Sequence, residues 1–241
     1  MAAGEIRSAT LDPVPVLWQD EWLLAIHKPA GLPTLPDGYD KTALHVKSLL
    51  EAAFGRLWIV HRLDKDTSGV LLLARTAGVH RALNQQFDQH QVVKVYHALV
   101  VGSPQWDVRA IDAPLQPNGD RRHRTVPKAG GKPAVTHARV LERLGAYTLI
   151  EARPTTGRTH QIRAHLGFVA GLPLVADALY GCKILPEDWP IARVALHACA
   201  LTVTHPVHGK RLAVEAPYPD DFAGALAELR ERTCKLSSRA S

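Results

Sequence analysis

Apolar positions along the chain fall into helical and strand periods. Val46, Leu49, Leu50, Ala53 and Phe54 recur at i, i+3, i+4, i+7 and i+8 before Gly55, which predicts a helix over 43–54. Val79, Leu83 and Phe87 mark a second amphipathic helix. From Val93 to Val101, Val93, Val95, His97, Leu99 and Val101 alternate with Lys94, Tyr96, Ala98 and Val100, a long strand with two usable faces. Two short apolar runs from Val14 to Ile26 around Gln19-Asp20-Glu21 read as a hairpin. Leu57–Val60 and Val70–Ala74 are strand-like and flank the charged segment His61–Gly69. Further strands are expected at 134–142, 147–152, 195–204 and 211–215. A helix is expected over 160–170, with Thr159 as N-cap and Ile162, Leu166 and Val169 inward, and another over 222–236. Strands dominate and helices are scattered singly, so the class is α+β with a mainly antiparallel or mixed sheet. Residues 1–13 read as a flexible leader, 14–219 as one catalytic-sized domain and 220–241 as a C-terminal helix and tail.

Charge changes this picture once it is located. The 241 residues carry 29 Lys+Arg against 23 Asp+Glu. Residues 1–24 have a net charge of −3 and 217–241 a net of zero, leaving +9 on 25–216. A body this basic suits a polyanionic partner, because neutralising phosphates releases counterions. It also suits an ordinary basic enzyme. No run of about 18 uncharged apolar residues occurs, so no membrane-spanning helix is expected. Cys182, Cys199 and Cys234 are scattered and form no C-x-x-C, against a disulfide framework or a cysteine zinc site. With no secretory pattern at Met1–Arg7, a cytoplasmic home is the simplest expectation.

Three polar clusters are candidates for chemistry. In His61-Arg62-Leu63-Asp64-Lys65-Asp66-Thr67-Ser68-Gly69, Asp64 lies between Arg62 and Lys65, which favour its ionised form. An oriented carboxylate serves as nucleophile or base; a polar connecting loop with local ion pairs is the plainer alternative. Arg153–His165 holds three arginines and two histidines with no acid, and it opens a predicted helix whose N-terminus favours anions. Arg121, Arg122, Arg124, Lys128 and Lys132, with Gly130 and Gly131, read as a mobile basic loop suited to a nucleic-acid backbone or simply solvated. Neither G-x-x-x-x-G-K-[ST] nor G-x-G-x-x-G nor G-x-S-x-G occurs, and His160 and His165 have the wrong offset for a metal on one helix face. No metal is expected.

His61-Arg62-Leu63-Asp64 with Thr67-Ser68-Gly69-Val70 resembles the signature of RluA-type RNA pseudouridine synthases. Lys94-Val95-Tyr96-His97-Ala98, Gly131-Lys132-Pro133-Ala134-Val135-Thr136, Thr156–His165 and His27-Lys28-Pro29-Ala30-Gly31 are similar to the family's other motifs, in the family's order, over roughly residues 14–216. The resemblance implies the pseudouridine synthase fold, a central, largely antiparallel mixed sheet with flanking helices and a central cleft. It also implies isomerisation of uridine to pseudouridine in RNA without cofactor or metal. Asp64 matches the essential aspartate, Tyr96 the tyrosine that stacks on the target base, and Arg163 the basic residue that pairs with the carboxylate. Arg62 matches the residue that fills the gap left by the flipped nucleotide. Arg121, Arg122, Arg124, Lys132, Arg158 and His160 are the expected RNA contacts. His27 departs from the commoner asparagine, which touches only a local loop hydrogen bond. About thirteen residues precede the first strand, so the compact branch lacking the extra N-terminal RNA-binding domain is expected, acting as a monomer on tRNA, large-subunit ribosomal RNA, or both.

Elementary chemistry runs the same way. Uracil must leave the sugar at N1 and rejoin through C5, which calls for one carboxylate, a platform for the base and a cationic grip. Inverting glycosidases need a second carboxylate, and Asp66 is expected to face away from Asp64 in an extended segment. Stacking on an aromatic is worth ~1–3 kcal/mol per base, and flipping is easiest from a loop, so an accessible uridine in a structured stem-loop fits. Sequence leaves open whether Asp64 attacks C1′, adds to C6 or abstracts a sugar proton. An RNA-binding protein without catalysis and a nucleoside hydrolase are the competing classes; the first has no use for Asp64, Tyr96 and Arg163 together, and the second predicts free uracil.

Overall fold

The computed structural model describes residues 10–11, 14–36, 44–181, 189 and 191–237. Most of the expected leader (1–9 and 12–13), position 43 of the first expected helix, Cys182 and the final residues 238–241 lie outside the described residues. In chain order the elements begin with β1 (Thr10–Leu11), β2 (Val14–Gln19), β3 (Leu23–Lys28), α1 (Val46–Phe54), β4 (Trp58–Ile59), β5 (Ser68–Ala74) and α2 (Ala77–Asp88). Then come β6 (Val93–Val101), β7 (Val108–Asp112), β8 (Leu115–Gln116), β9 (Val126–Pro127), β10 (Val135–Leu144) and β11 (Tyr147–Pro154). A four-residue α3 (Gln161–Ala164) runs straight into a π-helix (His165–Val169), before β12 (Leu196–Thr204), β13 (Arg211–Glu215) and α4 (Asp220–Ser237). The class is α+β, and the strand pairs that build both units are antiparallel.

The chain divides into two compact units, residues 1–94 with 198–217 and residues 95–197 with 218–241. The first unit is organised by β5. All seven of its residues are buried, as its unbroken apolar run requires, and it pairs with β3 from Leu23↔Ala74 to Lys28↔Gly69. Asp20 closes the β2–β3 hairpin: its Oδ1 accepts the N–H groups of Trp22 and Leu23 at 2.8 and 2.7 Å. The core joins Leu23, Ala25, Leu72 and Ala74 of the sheet to Val79 and Leu83 of α2 and to Leu201, Val203 and Val214. Thr76 caps α2 through the Val79 N–H, and His45 caps α1 through the Ser48 N–H.

The second unit is a sheet with the order β6-β11-β10-β7, carrying the pairs His97↔Glu151, Ala152↔Tyr96 and Ala138↔Arg109. On one face Ala98, Val100, Ala138, Ile150 and Ala152 pack against Ile162 and Leu166. On the other, Leu99 and Leu149 pack against Phe222, Leu226 and Leu229 of α4. This period-two division is what the 93–101 alternation predicts.

Two expectations give way here. Thr159 is not the N-cap of the 160–170 helix. His160 takes that place in a left-handed conformation (φ 51°), and the Gln161 side chain, not a threonine, accepts the Arg158 N–H at 3.0 Å. With only four α-helical residues before the widened turn, a helix dipole is no basis for an anion site. The basic segment 121–132 is not a plain loop either. It holds β9, which pairs with β8 (Gln116↔Val126, Leu115↔Pro127), and Lys132 bridges back to Leu115. Asp120 builds the hairpin tip by accepting the N–H groups of Arg122 and Arg124 at 3.0 and 3.1 Å.

Gly69, at the start of β5, has φ +120°, and a Cβ there would lie 2.1 Å from the Ala198 carbonyl oxygen. Gly69→Ala is expected to destabilise the protein by more than the roughly 1–3 kcal/mol of backbone strain alone. A thermal melt indistinguishable from wild type would contradict this.

Candidate active site

In the first unit the Asp64 loop is held from three sides. The half-buried Asp64 begins a tight turn, its carbonyl accepting the Thr67 N–H at 3.1 Å. The expectation that Asp66 faces away rested on an extended segment; the segment is a turn, so strand alternation says nothing about the two carboxylates. Ahead of the turn, the Thr34 hydroxyl donates to the Leu63 carbonyl at 2.9 Å and accepts the Leu63 N–H at 3.3 Å. Behind it, the fully buried Lys28 ammonium donates to the carbonyls of Pro29, Leu32 and Lys65 at 2.8, 2.8 and 3.0 Å. The Gly31 N–H adds a second bond to the Lys65 carbonyl at 2.9 Å.

His61 fixes the third side. Its Nε2 accepts the Leu72 N–H at 3.0 Å, which puts its single proton on Nδ1, and its ring stacks on Phe87 with centroids 5.1 Å apart. Burial, then the Lys94 charge, push its pKa down to about 3, so the ring is neutral at physiological pH. Burial also lowers Lys94 to about 8. Arg62 and Lys65 are exposed and line a cavity of about 290 Å³ with Pro33, Leu35, Pro36 and Leu63.

In the second unit Tyr96 lies on the β6 face that carries Ala98 and Val100, partly buried against their core. The buried Arg163 forks onto Asp177, Nε to Oδ2 at 2.7 Å and a terminal nitrogen to Oδ1 at 2.8 Å, with the Tyr180 ring beneath its guanidinium at 4.8 Å. The Tyr180 hydroxyl accepts the Thr125 N–H at 2.9 Å and meets His160 Nδ1 at 3.1 Å. Arg124 forks onto Asp120, lies over Phe168 at 4.8 Å and donates to the Leu179 carbonyl at 3.2 Å. Arg122 reaches the Ala178 carbonyl at 3.3 Å. Arg121 and Lys132 are exposed, whereas Arg158 donates to the Pro133 carbonyl at 3.0 Å. Gln161 is the hub of that loop: Oε1 accepts the Thr156 hydroxyl at 2.7 Å, and Nε2 donates to Val135 and Thr136 at 2.9 and 3.0 Å. His165 is buried between Thr136 Oγ1 and the Ala113 carbonyl, and burial lowers its pKa.

One group among the described residues, Asp20, His205 and His208, brings enough ligand atoms together for a metal ion. Its bonding does not fit one. His205 Nδ1 accepts the Val207 and His208 N–H groups, so Nε2 keeps the proton that it donates to Asp20 at 2.8 Å. The His205 and His208 rings also stack at 4.4 Å and 26°, which keeps their in-plane lone pairs from converging. The cluster ties the β2–β3 turn to the 205–210 turn.

Residues 22–167 match the family model described as RNA pseudouridylate synthase. The chain belongs to the RNA pseudouridylate synthase family. A ribosomal large subunit pseudouridine synthase D of Xanthomonas campestris pv. campestris is 39% identical over 243 residues, covering 95% of this chain and 73% of its own. A protein of the same name from Pseudomonas aeruginosa is 39% identical over 249 residues, covering 95% and 76%. Among solved structures, human RNA pseudouridylate synthase domain containing 4 superposes with a TM-score of 0.75 at 28% identity, covering 89% of this chain and 92% of its own.

For this synthase the structure gathers His160, Arg163, Arg122 and Arg124 around the 177–180 turn, while Arg62 lines the cavity beside the Asp64 loop with Lys65. Sequence reasoning passed over Lys28, Asp177 and Tyr180. Lys28 stands inside the His27–Gly31 motif, and the signal for the other two was a lone acid three residues before Tyr180-Gly181.

The His61 ring is expected not to titrate between pH 8 and 4. Its folded pKa lies below the unfolded 6.5, so stability drawn from the neutral ring is full above 6.5 and lost as pH falls toward 3. Histidine-resolved NMR reads this directly; an ordinary transition near 6.5 would contradict it.

Proposed function

We propose that this synthase isomerises a uridine of large-subunit ribosomal RNA to pseudouridine, with Asp64 as the catalytic carboxylate. The observation that carries the reading is the match, over 95% of the chain, to relatives named for that RNA. The reading is supported by the loop geometry, since a nucleophile or base on a turn tethered by Thr34, Lys28 and Gly31 loses little entropy when it meets its substrate. The isomerisation moves one base within one nucleotide and is redox-neutral. One carboxylate serves it whether that group attacks C1′, adds to C6 or abstracts a sugar proton.

Tyr96 serves as platform for the flipped base and Arg163 as the basic support of the reacting centre. Arg62 fills the gap left in the RNA stack. Arg121, Arg122, Arg124, Lys132, Arg158 and His160 form the RNA contact, with a division of labour. Arg121 and Lys132 are exposed and contribute charge to the backbone, while Arg124 and Arg158 first build the loops that carry them. The enzyme works in the cytoplasm as a monomer.

Asp64→Asn is expected to abolish tritium release from RNA labelled at uridine C5 while leaving the melting curve unchanged. Turnover by that variant would sink the assignment, and free uracil among wild-type products would point to a hydrolase. Pseudouridine mapping in cells lacking the gene is expected to lose a site in large-subunit ribosomal RNA; a loss confined to tRNA would overturn the choice of RNA. Replacing Arg121 and Lys132 together by alanine is expected to weaken RNA binding and reduce the slope of log K against log salt by about one for each phosphate no longer neutralised. An unchanged slope would assign both side chains to solvent.

A further inference from the structure

The four residues Asp177, Ala178, Leu179 and Tyr180 form one turn, closed by the Tyr180 and Gly181 N–H groups on the Asp177 carbonyl at 3.2 and 3.0 Å. Every one of them is bonded to a functional candidate of the second unit. Asp177, fully buried, holds Arg163 through both carboxylate oxygens, and its Oδ1 also accepts the Tyr180 N–H at 3.1 Å. The Ala178 and Leu179 carbonyls accept Arg122 and Arg124 from the basic hairpin tip at 3.3 and 3.2 Å. The Tyr180 hydroxyl accepts the Thr125 N–H, at the foot of β9, and has its own proton left for His160 Nδ1. Its ring is the floor under the Arg163 guanidinium.

We propose that this turn couples RNA seating on the basic hairpin to the placement of Arg163, with Asp177 and Tyr180 as positioning residues. The inference rests on the role given above to Arg163. A hairpin arginine pulled toward phosphate bears on the turn's carbonyls. The buried Arg163–Asp177 fork is costly to break, so displacement of one end is felt at the other. Burial raises the Tyr180 pKa, so the hydroxyl keeps its proton throughout the neutral range.

The test is single-turnover tritium release, at saturating concentrations of a large-subunit ribosomal RNA transcript, alongside the RNA dissociation constant. Asp177→Asn, which breaks the fork, is expected to slow the step about 100-fold, and Tyr180→Phe, which keeps the ring and removes the link to Thr125 and His160, about 10-fold, with binding within about 3-fold for both. Arg124→Ala is expected to slow the step in the wild-type background and to add little in the Tyr180→Phe background. Loss of binding in step with rate, or equal Arg124→Ala effects in the two backgrounds, would overturn the coupling. Should Asp177→Asn leave Arg163 unable to fold into place, the volume-matched Tyr180→Phe cycle decides alone. Arg163→Gln run in parallel separates the two failures. If it is slow while Asp177→Asn and Tyr180→Phe match wild type, the coupling is wrong; if it too matches wild type, the role of Arg163 falls and the coupling with it.

Discussion

A loop bearing charged residues between apolar strands must satisfy its own backbone, and in the first unit a buried ammonium does much of that. Lys28 has no exposed surface, and its reach to the Pro29, Leu32 and Lys65 carbonyls joins two stretches of chain 37 residues apart. Burying an ammonium is costly unless its donors are used, so the position admits few other side chains, and the carbonyls it binds are fixed in turn. The carbonyl of Lys65, the residue after Asp64, is one of them. With Thr34 bonded to Leu63 on the other flank, the carboxylate starts from a backbone that has few alternatives.

How much of this was legible follows from whether a signal is local. The alternation over 93–101, the apolar run of β5 and the α1 and α2 periods each express contacts within a few residues, and they appear where the pattern puts them, except that α1 starts at Val46 rather than within 43–45 because the extended His45 caps it. The strands β8 and β9 have two residues each and owe their pairing to the Asp120 side chain, which no period records. The left-handed turn at His160 arises because Gln161 satisfies Thr156, Arg158, Val135 and Thr136 at once, a long-range demand that outranks Thr159's capping propensity. Asp64, Tyr96 and Arg163 were recognisable through motifs. Lys28 stood inside a motif as well, but its burial did not show because lysine is seldom buried, and Asp177 lies 14 residues from the arginine it holds.

Charge shows the same limit. Counted along the chain, the body from 25 to 216 has a net charge of +9, and the arginine clusters hold no acid of their own. In the folded second unit the acids arrive from outside the clusters. Asp120 takes Arg124, Asp177 takes Arg163, and Glu151 binds both Arg139 and Arg153. The excess positive charge is therefore concentrated at fewer positions than the count suggests, among them the exposed Arg121 and Lys132. A cation's sequence neighbours thus say little about whether it builds the protein or faces its partner.

The Arg163–Asp177 pair makes that distinction chemical. A buried ion pair adds little to stability once both desolvation costs are counted, so stability is a weak reason for its presence. It is also neutral as a unit, so it projects much less field than a lone arginine. What it provides is direction. Two donors are spent on Asp177, the plane of the guanidinium is set by the Tyr180 ring, and the donors that remain point along fixed lines. Dipoles held in place before the reaction need no reorganisation during it, which is where a preorganised site gains over water. On that reasoning the acid beside Arg163 matters through the geometry it imposes rather than the charge it cancels.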